Sequence, residues 1–238
     1  MIFTPDATQL EILLGRIRER YDAHFEELVI DGQSLHLLSV NNMQSRLDEL
    51  IDRRLINNPL KDLPLWAKVW PASLILGRFV RRLEPQGKSL LEIGAGCGAC
   101  GLIAARYKPS RVLLTDVNED ALLFAEANVR ENRLEDIVEV RRADVCATRL
   151  EERFDLILAA EILYLEEVHR PLLKFLLHHL APGGKAVFCT DLVRNQKRFF
   201  KLAARDFSVG EHTISVRSTS DEGREERRAY MLHFLEMP

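Results

Sequence analysis

Residues 89–101 read SLLEIGAGCGACG, and their chemistry lies in an alternation of Glu92, Gly94, Gly96 and Gly98. Leu90, Leu91 and Ile93 lead into the glycines and helical sequence comes next, which predicts a strand, a tight turn and a helix. Glycine takes backbone angles closed to other residues, and its missing side chain lets a ligand approach the main chain. The first turn of a helix adds N–H groups that face such a ligand. A site of this kind suits a nucleotide-type cofactor. Single acids then end later strand-like runs: Asp116 after RVLLT, Asp144 after EVRRA, and Glu161 after DLILAA, with Tyr164 three positions on.

These residues need a frame that brings strand ends together. From Lys88 onward, strands are expected at 89–94, 111–116, 137–143, 154–160 and 185–190. Helices are expected between and after them, at 99–107, 119–131, 166–180 and 195–206. That alternation predicts a parallel sheet wound with helices. Residues 208–218 and 226–236 break the rhythm, with Asp221-Glu222-Gly223 between two β-like runs and no helix, so the sheet should close antiparallel. Upstream, Leu10, Leu13, Leu14 and Ile17 give helical spacing over 7–21. The runs 25–30 and 34–40 flank Asp31-Gly32-Gln33 as a hairpin. Residues 43–56 return to helical period, and Pro71 suits the first turn of a further helix.

The 238 residues are 47% hydrophobic and 29% charged, ordinary for one large domain or a domain with an extension. A net charge of −3 gives no general attraction to polyphosphate, so nucleic acid is not the expected partner. No apolar run reaches membrane-spanning length, since Arg78 interrupts 69–80. Asp6 and Glu11 argue against a signal peptide. The four cysteines, at 97, 100, 146 and 189, form no disulfide framework, and the expected compartment is a reducing cytoplasm. Cys97 and Cys100 make a CxxC without a second pair, inside the glycine loop, and read as small loop fillers. No metal is expected.

Gly96 to Gly101 fits the dinucleotide pattern GxGxxG, with Asp116 where a ribose-binding acid falls. Glu92, Asp144 and the antiparallel close pull away from a dehydrogenase. Together Glu92-x-Gly94-x-Gly96-x-Gly98, Asp116, Asp144, the turn Ala181-Pro182-Gly183-Gly184 and the closing strands resemble the class I, seven-stranded S-adenosylmethionine-dependent methyltransferases. The resemblance implies an α/β fold: a Rossmann-like, doubly wound, mostly parallel seven-stranded sheet with an antiparallel last strand. It would occupy 64–238, behind an N-terminal helix and hairpin extension over 1–63. Trp66-x-x-x-Trp70-Pro71 and Glu161-x-x-Tyr164 are similar to the methyltransferase family 16 group, largely protein lysine methyltransferases, where the usual acid of the second motif is Asp.

The resemblance also implies a role for each residue of these motifs. Gly94, Ala95, Gly96 and Gly98 would let the main chain pass the methionine part of S-adenosylmethionine. Asp116, with Val117 beside it, would accept hydrogen bonds from both ribose hydroxyls. Asp144 would meet the adenine amino group and Val145 the ring. Glu92 would hold the loop or the cofactor's amino group. Trp70 would pack on the cofactor, and Ala160 and Tyr164 would line its methionine side. Glu161 and Tyr164 would serve the transfer to a protein lysine, Glu161 by orienting the ammonium first and accepting its proton second.

Plainer roles compete. Trp66 suits a packed turn, Asp116 could cap the next helix, Asp144 could simply make a turn, and Glu161 could cap the helix at 166. A small-molecule or nucleic-acid methyltransferase is the second reading, although Glu-Ile-Leu-Tyr stands where a base amino-methylating enzyme carries Asn/Asp-Pro-Pro-aromatic. A non-catalytic module that keeps the cofactor pocket is the third.

Overall fold

The computed structural model describes residues 5–41, 43, 64–194, 196–219 and 225–237. Five strands run parallel: β3 (Ser89–Ile93), β4 (Arg111–Asp116), β5 (Val138–Arg142), β6 (Phe154–Ala160) and β7 (Leu180–Asp191). β9 (Glu225–Glu236) pairs antiparallel with β7, and β8 (Ser208–Thr219) antiparallel with β9. The order is β5-β4-β3-β6-β7-β9-β8, with the parallel body and antiparallel close that the alternation and its broken end imply.

Parallel strands buried on both faces need apolar residues at successive positions, and alternate side chains divide the core in two. Leu90, Val112, Leu114, Leu156, Leu158 and Val187 face one side, beneath α2 (Pro71–Phe79), α3 (Ala99–Ala105) and α4 (Glu119–Glu131). Leu91, Ile93, Leu113, Ile157 and Phe188 face the other, beneath α5 (His169–His179) and α6 (Lys197–Ala203). With its apolar strand residues covered on both faces, the sheet leaves its strand ends as the place for polar chemistry.

Most elements fall within a few residues of where periodicity puts them, and three differ in ways that matter to the site's frame. The expected helix 166–180 divides into a 3-10 turn, Glu166–Val168, and α5; Pro171, lacking an N–H, sits in the first turn of α5 where none is needed. β7 begins at Leu180 rather than 185: Phe154 pairs with Leu180, the register then shifts, and Leu156 pairs with Lys185. The Ala181–Gly184 turn is thus an irregularity inside the strand. α6 spans Lys197–Ala203, shorter than 195–206.

At the N-terminus, α1 (Pro5–Arg18) precedes β1 (Ala23–Ile30) and β2 (Gln33–Val40). Asp31 and Gly32 both take positive φ, 49° and 77°, the two-residue turn that matches strand twist. Asn128 and Asn132 of α4 seat the hairpin: Leu38 N–H donates to Asn128 Oδ1 at 2.7 Å and His36 N–H to Asn132 Oδ1 at 2.9 Å. Tyr21, Trp66 and Phe124 meet edge to face: the ring centroids are 5.5 Å apart for Tyr21–Trp66, 5.6 Å for Tyr21–Phe124 and 5.0 Å for Trp66–Phe124. The helix expected over 43–56 lies outside the described residues, apart from Met43.

Candidate cofactor and acceptor site

β3 carries Glu92 inward, where it is 2% exposed and its Oε2 accepts the Gly101 N–H at 2.7 Å. Burial pushes its carboxyl up to about 8; the Gly101 N–H opposes this and the charge of Asp116 adds to it. A Cβ on Gly101 would lie 2.2 Å from Leu114 Cδ2 and 2.8 Å from Glu92 Oε2, so any larger residue would push these two side-chain ends aside. The Glu92–Gly101 contact holds the end of the loop, one of the two jobs expected of Glu92. Gly96 has φ 55°, and a Cβ there would come 2.8 Å from the Trp66 carbonyl oxygen. The Trp66 main chain therefore crosses the glycine loop while its ring packs in the aromatic trio.

The loop's N–H groups depart from the outward-facing expectation. Gly96 N–H donates to Asp116 Oδ2 at 2.8 Å, and Gly98 N–H to the Ala95 carbonyl at 2.8 Å. Gly101 N–H is held by Glu92. The physical reason is that N–H groups withdrawn from water must be paired, and two acids and a loop carbonyl lie within reach.

Asp116 ends β4, half-buried, with Oδ1 accepting the Asn118 N–H at 2.9 Å. The helix cap itself is Asn118, whose Oδ1 accepts from Asp120 and Ala121 at 2.9 and 3.0 Å. Val117 beside it is 53% exposed. At the neighbouring strand end, Asp144 lies just past β5; its Oδ1 accepts the Cys146 N–H at 2.8 Å and its N–H donates to Thr148 Oγ1 at 2.9 Å. Asp144 thus does make a turn, as its plainer reading held, and Val145 behind it is half-buried. A carboxyl group at one strand end and an acid-plus-apolar pair at the next have the chemistry that could meet the hydroxyls and the flat base of a nucleoside.

Glu161 leaves β6 with φ 56°, a left-handed backbone costing about 1 kcal/mol in a residue with a Cβ. Its N–H donates to the Cys189 carbonyl at 3.0 Å and its Oε1 accepts the Asp191 N–H at 2.7 Å, so it ties β6 to β7 and does not cap the turn at 166. Oε2 is buried without a hydrogen bond, 3.3 Å from Arg194 Nε. Burial pushes this carboxyl above the usual range, against the pull of the Asp191 N–H and Arg194. Trp70 caps the start of α2; its Nε1 donates to the Leu65 carbonyl at 2.9 Å. Lys68 Nζ lies 5.0 Å and the Arg194 guanidinium 5.9 Å from its ring. Tyr164 is 50% exposed, and burial, then the charge of Asp116, pushes its hydroxyl up. Ala160 lies half-buried at the end of β6.

The fold thus joins the glycine loop to Asp116, sets Asp144 at the next strand end, and links Glu161 to Trp70 through Arg194. Sequence reasoning missed Arg194, which no pattern marks. It also missed Asn128, whose Nδ2 donates to the Cys97 carbonyl at 2.8 Å; an asparagine on the apolar face of a helix was the available signal. Cys97 and Cys100 are free thiols and buried, and burial pushes the Cys97 thiol up to about 12, which suits loop fillers and not redox chemistry. Among the described residues no group of three or more His, Cys, Asp or Glu could hold a metal. No described helix is long and apolar enough to cross a membrane.

The chain is 33% identical over 196 residues to the protein N-lysine methyltransferase METTL21A of Danio rerio, across 76% of this chain and 87% of that one. It is 27% identical to the electron transfer flavoprotein beta subunit lysine methyltransferase of Mus musculus, across 63% of this chain and 59% of that one. Its fold matches the N-methyltransferase NodS from Bradyrhizobium japonicum, solved with S-adenosyl-L-homocysteine, with a TM-score of 0.55 at 19% identity over 83% of this chain and 100% of that one. Residues 56–206 match the lysine methyltransferase family, and the chain, with its seven-stranded sheet and nucleoside-fitting strand ends, belongs to that family of S-adenosylmethionine-dependent methyltransferases.

Proposed function

We propose that this enzyme methylates a lysine side chain of a protein, with Gly94, Ala95, Gly96, Gly98, Asp116, Val117, Asp144, Val145, Ala160 and Tyr164 around the cofactor and Glu161 at the acceptor. Bound S-adenosylmethionine supplies a sulfonium methyl group for in-line displacement by a neutral amine. The chain's task is to align the acceptor, which can lower a barrier by up to about 7–11 kcal/mol. The observation that carries the acceptor assignment is the buried, hydrogen-bond-poor Oε2 of Glu161 at the carboxyl end of β6. A carboxylate there attracts and orients an ammonium. By itself it also raises that ammonium's pKa, so it aids transfer only when it takes the proton or when the site excludes water. Trp70 and Tyr164 add aromatic surface for a cation.

The same reading takes 1–63 as an N-terminal extension, of which the β1–β2 hairpin covers the α4 face, and 64–238 as the catalytic domain; the hairpin's hydrogen bonds to Asn128 and Asn132 support it. Buried free cysteines support a reducing compartment, which we take to be the cytoplasm. Tritium transfer from labelled cofactor into a cell lysate tests the substrate class: a labelled protein band is expected. Label in RNA or small molecules would move the reading to another acceptor, and cofactor binding without transfer would make the chain a binding module. Glu161→Gln should leave S-adenosylhomocysteine affinity unchanged while lowering kcat at least about a hundredfold. Full activity in that variant removes Glu161 from the mechanism.

A further inference from the structure

Glu161 and Arg194 sit at a junction that the transfer reaction alone does not explain. Glu161 Oε2 is buried and accepts no hydrogen bond, although Arg194 Nε stands 3.3 Å away. The Arg194 side chain is 44% exposed against 10% for Glu161, so the arginine covers the acid from the solvent side. Its guanidinium also lies 5.9 Å from the Trp70 ring. A cation beside a carboxylate and an aromatic face is the arrangement a lysine ammonium would take. Arg194 holds that place, and it holds it loosely, because a misaligned ion pair leaves the carboxylate oxygen without a donor.

Arg194 also lines a groove of about 580 Å³ between the end of β7, α6 and the β8–β9 pair. Lys197 and Lys201 add positive charge to it, while Asp191 and Glu211 are its acids. Asp191 Oδ1 accepts the Val193 N–H at 3.0 Å and Glu211 Oε1 lies 3.4 Å from His233 Nε2, and neither contact removes the acid's charge. The groove's three basic side chains outnumber its two acids, and Arg194 is the one that sits against Glu161.

Resting on the lysine reading above, we propose that Arg194 is a specificity residue. It stands in for the acceptor ammonium between Glu161 and Trp70, and an acidic side chain flanking the incoming lysine draws it into the groove, so that lysines next to Asp or Glu are selected. The exchange conserves ion pairs: Glu161 trades guanidinium for ammonium, and Arg194 trades Glu161 for the substrate acid. A lysine with neutral neighbours must displace Arg194 without providing it a partner.

The test uses the full chain saturated with S-adenosylhomocysteine and fluorescein-labelled heptapeptides, each with one central lysine flanked by Glu, Gln or Arg. Fluorescence anisotropy should show the Glu peptide binding at least about fivefold more tightly than the Gln peptide. In Arg194→Ala that preference should shrink, and the Gln peptide should bind more tightly than in the parent because its competitor is gone. Arg194→Lys, which keeps a cation without the guanidinium's reach, should restore part of the preference. Simple attraction to a basic groove predicts no gain for the Gln peptide. An unchanged preference in Arg194→Ala, weaker or equal Gln-peptide binding there, or no binding of any peptide overturns the proposal. If calorimetry shows that S-adenosylhomocysteine itself does not bind, the methyltransferase reading fails first and takes this one with it.

Discussion

Glu92→Gln should make this protein more stable, and increasingly so as pH rises. Glu92 is 2% exposed, and burial lifts its carboxyl from an ordinary 4.5 to about 8. The folded state thus binds a proton that the unfolded state releases between those values, so stability falls as pH climbs through this window. Below about 4.5 both states carry the proton and the penalty vanishes. The gap from 4.5 to about 8, at about 1.4 kcal/mol per pH unit, sets a ceiling of about 5 kcal/mol. Between pH 5.5 and 8.5 the change amounts to about 3 kcal/mol, a large part of a typical domain's stability. Glutamine carries no charge at any pH, and its side-chain oxygen can still accept the Gly101 N–H. Urea denaturation of the cofactor-free protein at several pH values would measure it: the parent should lose about 3 kcal/mol relative to Glu92→Gln between pH 5.5 and 8.5. Parallel curves would refute the reasoning, because they would mean that Glu92 is ionised in the folded state and stabilised there by groups other than those named.

Asp116→Ala should fold yet lose affinity for S-adenosylhomocysteine by at least about a hundredfold in calorimetry, the low end of what two hydroxyl hydrogen bonds to a carboxylate contribute; unchanged affinity would defeat the ribose assignment. Asn128→Ala should cost about 2–4 kcal/mol in chemical denaturation, because it leaves the buried Leu38 N–H and Cys97 carbonyl without a partner. It should also weaken cofactor binding, since Cys97 lies inside the glycine loop; a loss of stability with undiminished affinity would show that the hairpin does not support the loop.

The strand and helix series from Lys88 onward was legible because local periodicity sets it: apolar runs buried on both faces make parallel strands, and 3.6-residue spacing makes their covering helices. The Asp-Gly turn of the hairpin and the Pro71 helix start were legible for the same reason, as short-range chemistry decides them. Residue order alone also put Gly94, Gly96, Gly98, Asp116 and Glu161 at strand ends, where a wound sheet binds ligands. Pairing across the fold was not written there. Asn118 rather than Asp116 caps α4, Glu92 turns inward to Gly101, and the Gly96 N–H closes on Asp116 of the neighbouring strand. Arg194 reaches Glu161 from 33 positions away only because β6 and β7 lie side by side. Those choices are made by which buried polar group lies nearest in space, and nearness across a sheet is a property of the folded chain.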